Sequence, residues 1–302
     1  MTRASGTLRG LTMVLTALWL AVPAFSGDSL SLPSETAPAK LLVKTKTAKP
    51  PARRKDETKP AFDQPMQVVI VRSSEKGCET SCPEWIMAEG MITGETPKLI
   101  AEVYERAKQR NGGKPSPVIL HSSGGNIIAA LQIGHFLRAR SVDVAVGQTL
   151  YSGCGPFKAK CSTPAADGAY RGQLLSRGAV CLSACPLILA GGVRRLAGID
   201  AAVGVHHWGY DLPGPDGKPA AAPARRDPAW DGIVRNMISG YLTTMGISRD
   251  VVSDMDKTPF ASMMLYDFKR RKQLKLVTDT ANVERVISAK ACKASSAESF
   301  CR

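Results

Sequence analysis

The stretch Cys181–Gly192, CLSACPLILAGG, decides how this chain is read. One serine, Ser183, stands between two cysteines and leads straight into an apolar run. A serine at a helix start is either an N-cap that accepts N–H bonds or a nucleophile. In the second case the amide of its neighbour Ala184 helps hold a developing oxyanion. A serine hydroxyl is a poor nucleophile without an adjacent base, so the second reading needs a histidine.

The chain has four histidines: His121, His135, His206 and His207. His135 falls mid-helix among apolar residues and reads as a core or surface residue. His121 ends a strand beside a Gly-Gly turn, the place of a supporting residue. His206 and His207 end AAVGVHHW, residues 201–208. Strand alternation sends neighbouring side chains to opposite faces, so only one of the pair faces a given site. Two adjacent histidines also suggest a metal, but no carboxylate or third ligand stands close by in the sequence, and no metal or other cofactor is expected.

A third element lies upstream. HSSGGN, residues 121–126, joins an apolar strand to a helix. Two glycines at such a turn let backbone N–H groups approach a ligand without a side-chain clash. The helix that follows adds its positive end. Such turns more often serve geometry alone, so the motif gains weight only beside the serine and the histidine.

The segments around these motifs alternate between strand and helix. MQVVIV (66–71) reads as a buried strand and EWIMAEGMI (84–92) as a second strand region. TPKLIAEVYERAKQRNGG (96–113) reads as a helix. Thr96 is its candidate cap, Pro97 sits in its first turn, Leu99, Val103 and Ala107 share a face, and Gly112 ends it. SPVILH is a strand, NIIAALQIGHFLRAR a buried helix, and VDVAVG another strand. Residues 151–178 read as an irregular insert, 193–208 as one or two strands, and 209–229 as a Pro/Gly/Ala loop. The remainder reads as helices with a short strand, LKLVT, near the end. Repeated β–α–β units imply a single α/β domain around a mostly parallel sheet.

The N-terminus reads as an export signal. Arg3 and Arg9 precede the apolar run LTMVLTALWLAVPA (11–24), and small residues follow at Ala24 and Ser26. The run is short for a membrane span, and the alternative is an uncleaved anchor. The expected organisation is therefore a signal over 1–26, a basic Pro-rich disordered linker over 27–64, and a folded domain over 65–302. Eight cysteines in four close pairs, Cys78/Cys82, Cys154/Cys161, Cys181/Cys185 and Cys292/Cys301, fit disulfides in an oxidising compartment, periplasmic or secreted. Spacing does not fix their connectivity, and Cys181 and Cys185 pair either with each other or with Cys154 and Cys161. The spacings are not those of a zinc site.

The formal net charge of +14 draws the chain to anionic surfaces. Much of it sits in the linker, in Lys40, Lys44, Lys46, Lys49, Arg53, Arg54, Lys55 and Lys59. No nucleic-acid motif accompanies the run, so nucleic acid is not an expected partner. A solvated linker is the plain reading, and electrostatic contact with an anionic envelope surface is the sharper one.

In order and approximate spacing, SSGGN, then CLSACPLILAGGVRR, then AAVGVHHW resembles the Clp protease proteolytic subunit and its relatives in the Clp/crotonase superfamily. An exported, Clp-like group of bacterial periplasmic proteins, with its Ser-Ala-Cys helix start and Gly-Val-His strand, is especially similar. The resemblance spans roughly residues 66–280. It implies repeated β-β-α units around a mostly parallel sheet. It also implies Ser183 as nucleophile, His206 as general base, and the amides of Gly124 or Gly125 with Ala184 as oxyanion hole. The family's acid maps onto Asp256, with Asp254 as second choice.

A peptide or protein substrate and homo-oligomers, trimers or rings, are further implications. Ser123 stands where the family has proline, and the cysteines flanking Ser183 are a departure from the cytoplasmic protease. Dependence on an ATP-driven unfoldase is not expected of an exported protein. The expectation is an exported, ATP-independent serine hydrolase, a peptidase. Its alternatives are a catalytically inactive module that kept the fold and, less compatible with export, an acyl-CoA enzyme of crotonase type.

Overall fold

The computed structural model describes residues 59–78, 82–158, 161, 165–209, 228–294 and 300. All lie within the compact unit Arg53–Arg302. The expected signal segment, most of the expected linker and most of the 209–229 loop fall outside the described residues. Among the described residues no helix is long and apolar enough to cross a membrane.

A single 3-10 turn at Ala61–Asp63 leads into β1 (Gln67–Ser73), β2 (Glu84–Glu89), α1 (Thr96–Arg110), β3 (Val118–His121), α2 (Ile127–Ala139), β4 (Val144–Val146) and β5 (Gln148–Tyr151). Next come β6 (Tyr170–Leu175), β7 (Val180–Leu182), α3 (Cys185–Gly191), β8 (Arg195–Ala197) and β9 (Ala202–Val205). The chain closes with α4 (Pro228–Thr244), α5 (Asp250–Lys257), β10 (Met264–Leu265), α6 (Phe268–Gln273), α7 (Val283–Val286) and α8 (Ala289–Ala294).

Two sheets form. The larger runs β5-β6-β1-β2-β3-β4-β8 and the smaller β10-β9-β7. In the larger sheet β1–β6 and every pairing from β2 through β3 and β4 to β8 are parallel, and β1–β2 and β5–β6 are antiparallel; in the smaller sheet β7–β9 is parallel and β9–β10 antiparallel. The mostly parallel α/β architecture expected from the sequence is the one observed.

The pleat divides the core in two. Ile86, Ala88, Val118, Leu120, Val144, Val146 and Ala197 face one apolar cluster, together with residues of α1 to α5. Their strand neighbours Trp85, Met87, Ile119, Ala145 and Leu196 face another, closed by Val283, Ile287 and Phe300. Burial on both faces is why these strands read as continuous apolar runs rather than as alternations.

Several local readings are corrected. Thr96 does not cap α1. Glu95 holds the cap position, and the Thr96 hydroxyl accepts instead from the Thr93 N–H at 2.9 Å. The buried stripe of α1 is Ile100, Val103, Tyr104 and Ala107, while Leu99 lies at the exposed rim. The insert contains a strand, β6, which pairs with β1 and β5 inside the main sheet. LKLVT is not a strand: Leu276 N–H closes a turn on the Arg271 carbonyl, and Thr278 N–H donates to the Arg195 carbonyl.

Three cysteine pairs are bonded as neighbours, Cys78–Cys82, Cys154–Cys161 and Cys181–Cys185. Cys292 is also disulfide-bonded, and Cys301 lies outside the described residues.

Candidate active site

Three strand ends deliver the site. An isolated parallel bridge, Ser122 to Cys181, joins the end of β3 to β7 and so couples the two sheets. The β7 strand pairs in parallel with β9. Parallel neighbours end on the same side, so the turn after β3, the residue after β7 and the residue after β9 meet there.

Ser183 follows β7 in the left-handed region, with φ 59°. A non-glycine residue held there costs on the order of 1–3 kcal/mol and persists only where its surroundings impose it. Four constraints do so. The Ser183 N–H donates to the Gly204 carbonyl at 2.9 Å, and the Leu182 N–H donates to the Ser122 carbonyl at 3.0 Å. The Cys181–Cys185 disulfide bridges the residues on either side, and Pro186 sits in the first turn of α3. At the far end of α3, Arg138 caps the carbonyls of Ala190, Gly191 and Gly192.

The cap reading of Ser183 does not hold. Ala184 occupies the N-cap position of α3, which has no side-chain cap bond. The Ser183 hydroxyl instead lies 2.7 Å from Nε2 of His206.

His206 is half-buried at the end of β9, and both its ring nitrogens are engaged. Nδ1 lies 2.8 Å from the Phe260 carbonyl oxygen. A carbonyl only accepts, so Nδ1 carries the proton and Nε2 presents its lone pair to the serine hydroxyl. Burial lowers the pKa of His206 below the ordinary histidine value. The Phe260 hydrogen bond opposes this, and nearby His207 adds to it.

His207 is buried and points elsewhere. Its Nδ1 lies 2.7 Å from the Trp208 carbonyl, and its Nε2 is 3.9 Å from Asp256 Oδ1. Both histidines lie just beyond β9, and their rings engage different partners.

Asp256 does not join this constellation in the expected role. Its carboxylate meets the Arg235 guanidinium, Oδ2 at 2.9 Å from Nε and Oδ1 at 3.1 Å from a terminal nitrogen. Asp254, the second choice, is ion-paired with Arg270 at 2.9 Å. Among the described residues no hydrogen bond or ion pair joins either carboxylate to His206. The physical reason is helical: α5 turns both toward cations, Arg235 on α4 and Arg270 on α6.

The glycine turn sits against the serine. Gly124 has φ 108°, and a Cβ built on it would lie 2.5 Å from Ser183 Cβ and 3.0 Å from the Ala184 nitrogen. Gly125, at φ 127°, would collide with the Ile92 backbone. Of the three amides expected to hold an oxyanion, that of Gly124 already donates to Ser122 Oγ at 3.1 Å. No hydrogen bond among the described residues engages the N–H of Gly125 or of Ala184. Asn126 completes the motif by capping α2, its Oδ1 accepting from Ala129 N–H at 2.9 Å.

Beneath the turn, His121 braces β7: its Nδ1 accepts the Val180 N–H at 3.0 Å. Burial takes its pKa down to about 4. Across the β2–β3 pairing, Glu89 Oε1 lies 4.0 Å from His121 Nε2, and burial pushes Glu89 up to about 7 against a hydrogen bond from the Tyr151 hydroxyl. His135 is exposed on α2, edge-on to Tyr241. Among the described residues no cluster of metal-ligating side chains occurs.

The residue that the sequence did not disclose is Phe260. Its contribution is a main-chain carbonyl, which no side-chain pattern advertises.

No protein-family model matches the chain, and no curated relative matches it. Solved structures similar to it in fold include a serine-to-alanine mutant of the 1510-N membrane-bound stomatin-specific protease, at 15% identity, TM-score 0.41, covering 65% of this chain and 77% of that one. ClpP1 from Listeria monocytogenes is similar at 13% identity and TM-score 0.40, covering 64% of this chain and 88% of that one.

Proposed function

We infer that the protein is a serine hydrolase of peptidase type, working by acyl transfer from a Ser183–His206 pair in an exported, disulfide-bonded domain. The observation that carries this reading is the 2.7 Å contact between Ser183 Oγ and His206 Nε2, made by a serine in the left-handed region whose hydroxyl caps nothing.

In the reaction, Nε2 takes the hydroxyl proton as Oγ bonds the substrate carbonyl carbon. The carbonyl oxygen becomes an oxyanion held by the amides of Gly125 and Ala184. Collapse breaks the bond to the leaving group, which departs with the proton from Nε2. Water then repeats the sequence on the acyl-enzyme, regenerating the serine and releasing the acid. Extended peptides or unfolded protein segments are the substrates this chemistry takes, with no nucleotide and no metal required. The three close-spaced disulfides support maturation in an oxidising compartment.

Labelling with a fluorophosphonate tests the reading. Wild-type protein is expected to be modified at Ser183, and Ser183→Ala to remain unlabelled. Equal labelling of the two proteins removes Ser183 from the mechanism.

A further inference from the structure

Resting on the Ser183–His206 reading, we propose that Phe260 is the positioning residue of this site: its main-chain carbonyl, not a carboxylate, holds the general base in its working tautomer and orientation.

The base is held at both ends. Nε2 of His206 meets Ser183 Oγ at 2.7 Å and Nδ1 meets the Phe260 carbonyl at 2.8 Å. The Phe260 ring flanks the imidazole, with centroids 5.0 Å apart at 42°. One residue therefore restrains the ring in its plane through the carbonyl and limits its tilt through the phenyl group.

The carbonyl is placed by a segment tied down at each end. Thr258 closes α5: its N–H donates to the Met255 carbonyl at 3.2 Å and its hydroxyl to the Asp254 carbonyl at 2.7 Å. The Thr258 carbonyl in turn accepts the His207 N–H at 2.9 Å. A turn follows, with Ser262 N–H donating to the Pro259 carbonyl at 2.9 Å. Beyond it β10 pairs antiparallel with β9, Met264 opposite Val205. Consecutive residues of the β9 extension thus grip alternate carbonyls of this segment, His207 that of Thr258 and His206 that of Phe260.

Asp256 has a different task. With Arg235 it ties α5 to α4, and it stands 3.9 Å from the buried His207 ring. It supports the segment that carries Phe260 and does not touch the base. A carbonyl fixes the tautomer as a carboxylate does, because neither donates, but it meets the imidazolium of the transition state with a dipole rather than a full charge.

The test is Asp256→Asn, read in two ways. If Phe260 positions the base, the second-order rate of fluorophosphonate labelling falls less than about tenfold. In a carboxylate-oriented triad the same change costs on the order of 10⁴-fold. Nitrogen-15 spectra of the His206 ring at pH 8 are expected to keep the proton on Nδ1 in both wild type and Asp256→Asn. A folded variant that loses about a thousandfold or more, or whose His206 moves its proton to Nε2, overturns the proposal. Should the variant fail to fold, wild-type protein decides the matter. A scalar coupling across the hydrogen bond from His206 Nδ1 to the Phe260 carbonyl carbon supports the proposal, and its absence, or a coupling to the Asp256 carboxyl carbon, overturns it. Labelling of Ser183→Ala separates the two failures, because it tests the nucleophile and leaves the orienting group untouched.

Discussion

Gly124 and Ser183, fifty-nine positions apart in the chain, are packed so closely that a Cβ on the glycine would lie 2.5 Å from that of the serine. The contact holds the strand-to-helix turn against Ser183 and leaves no room for a side chain. Gly124→Ala would add both this clash and a strained φ of 108°. The expected cost is at least about 2 kcal/mol in stability. Labelling at Ser183 is expected to slow about a hundredfold or more, the penalty of a displacement near 1 Å. Thermal unfolding and labelling rates measured on one preparation check both; a variant that labels at the wild-type rate would contradict the packing argument.

In the proposed mechanism His206 acts as a base only while neutral. Burial, with His207 adding to it, holds its pKa below the ordinary histidine value of 6.5. The rate of serine labelling should therefore rise with pH through a midpoint under 6.5 and then level off. His206→Ala should abolish that limb and lower the plateau about 10²- to 10⁴-fold, the usual contribution of a general base. A midpoint above the ordinary histidine value would show that the imidazole is held by a negative charge after all.

The Cys181–Cys185 disulfide closes a five-residue ring around Ser183, and both cysteines are fully buried. In the chain-entropy treatment so short a loop contributes about 2 kcal/mol. Replacing both cysteines by alanine should lower the melting temperature by roughly 4–8 °C. The loss of labelling should be larger than the loss of stability alone explains, because Ser183 is then free to leave its left-handed conformation. Circular dichroism melts and labelling below the transition distinguish the two effects.

Glu89 and His121 are nearly fully buried and shifted in opposite directions. Burial raises Glu89 from 4.5 to about 7, so from pH 4.5 to 7 the folded state binds more protons than the unfolded, and stability falls as pH rises. Burial lowers His121 from 6.5 to about 4, so from pH 4 to 6.5 the unfolded state binds more, and stability rises with pH. Where the windows overlap the two nearly cancel. Glu89→Gln removes one side. Its stability should climb between pH 4 and 6.5 by on the order of 3 kcal/mol, against a flatter wild-type curve. Urea unfolding across that range reads the difference, and parallel curves for the two proteins would contradict the assignment.

Much of the frame was legible along the chain. VIL (118–120) and VAV (144–146) are apolar throughout because both faces of the sheet are covered, and α1 and α2 carry clear punctuation in Pro97 and Asn126. The sixth strand was obscured because it lies near a sheet edge, where YRGQLL alternates and carries a charge and a glycine. LKLVT misled because a short apolar run serves equally well as a plug under the sheet, where Leu276 and Val277 are buried without strand pairing.

Residue type and order were enough to mark Ser183, the glycine turn and His206 as candidates, and the fold brings the three together. Which group meets His206 Nδ1 depends on tertiary packing. A carboxylate is visible in a sequence wherever it falls, but the direction it points depends on the helices around it, and α4 and α6 supply Asp256 and Asp254 with cations. The Phe260 carbonyl is an atom every residue possesses. Only the folding of its segment against the end of β9 makes it the one that faces His206.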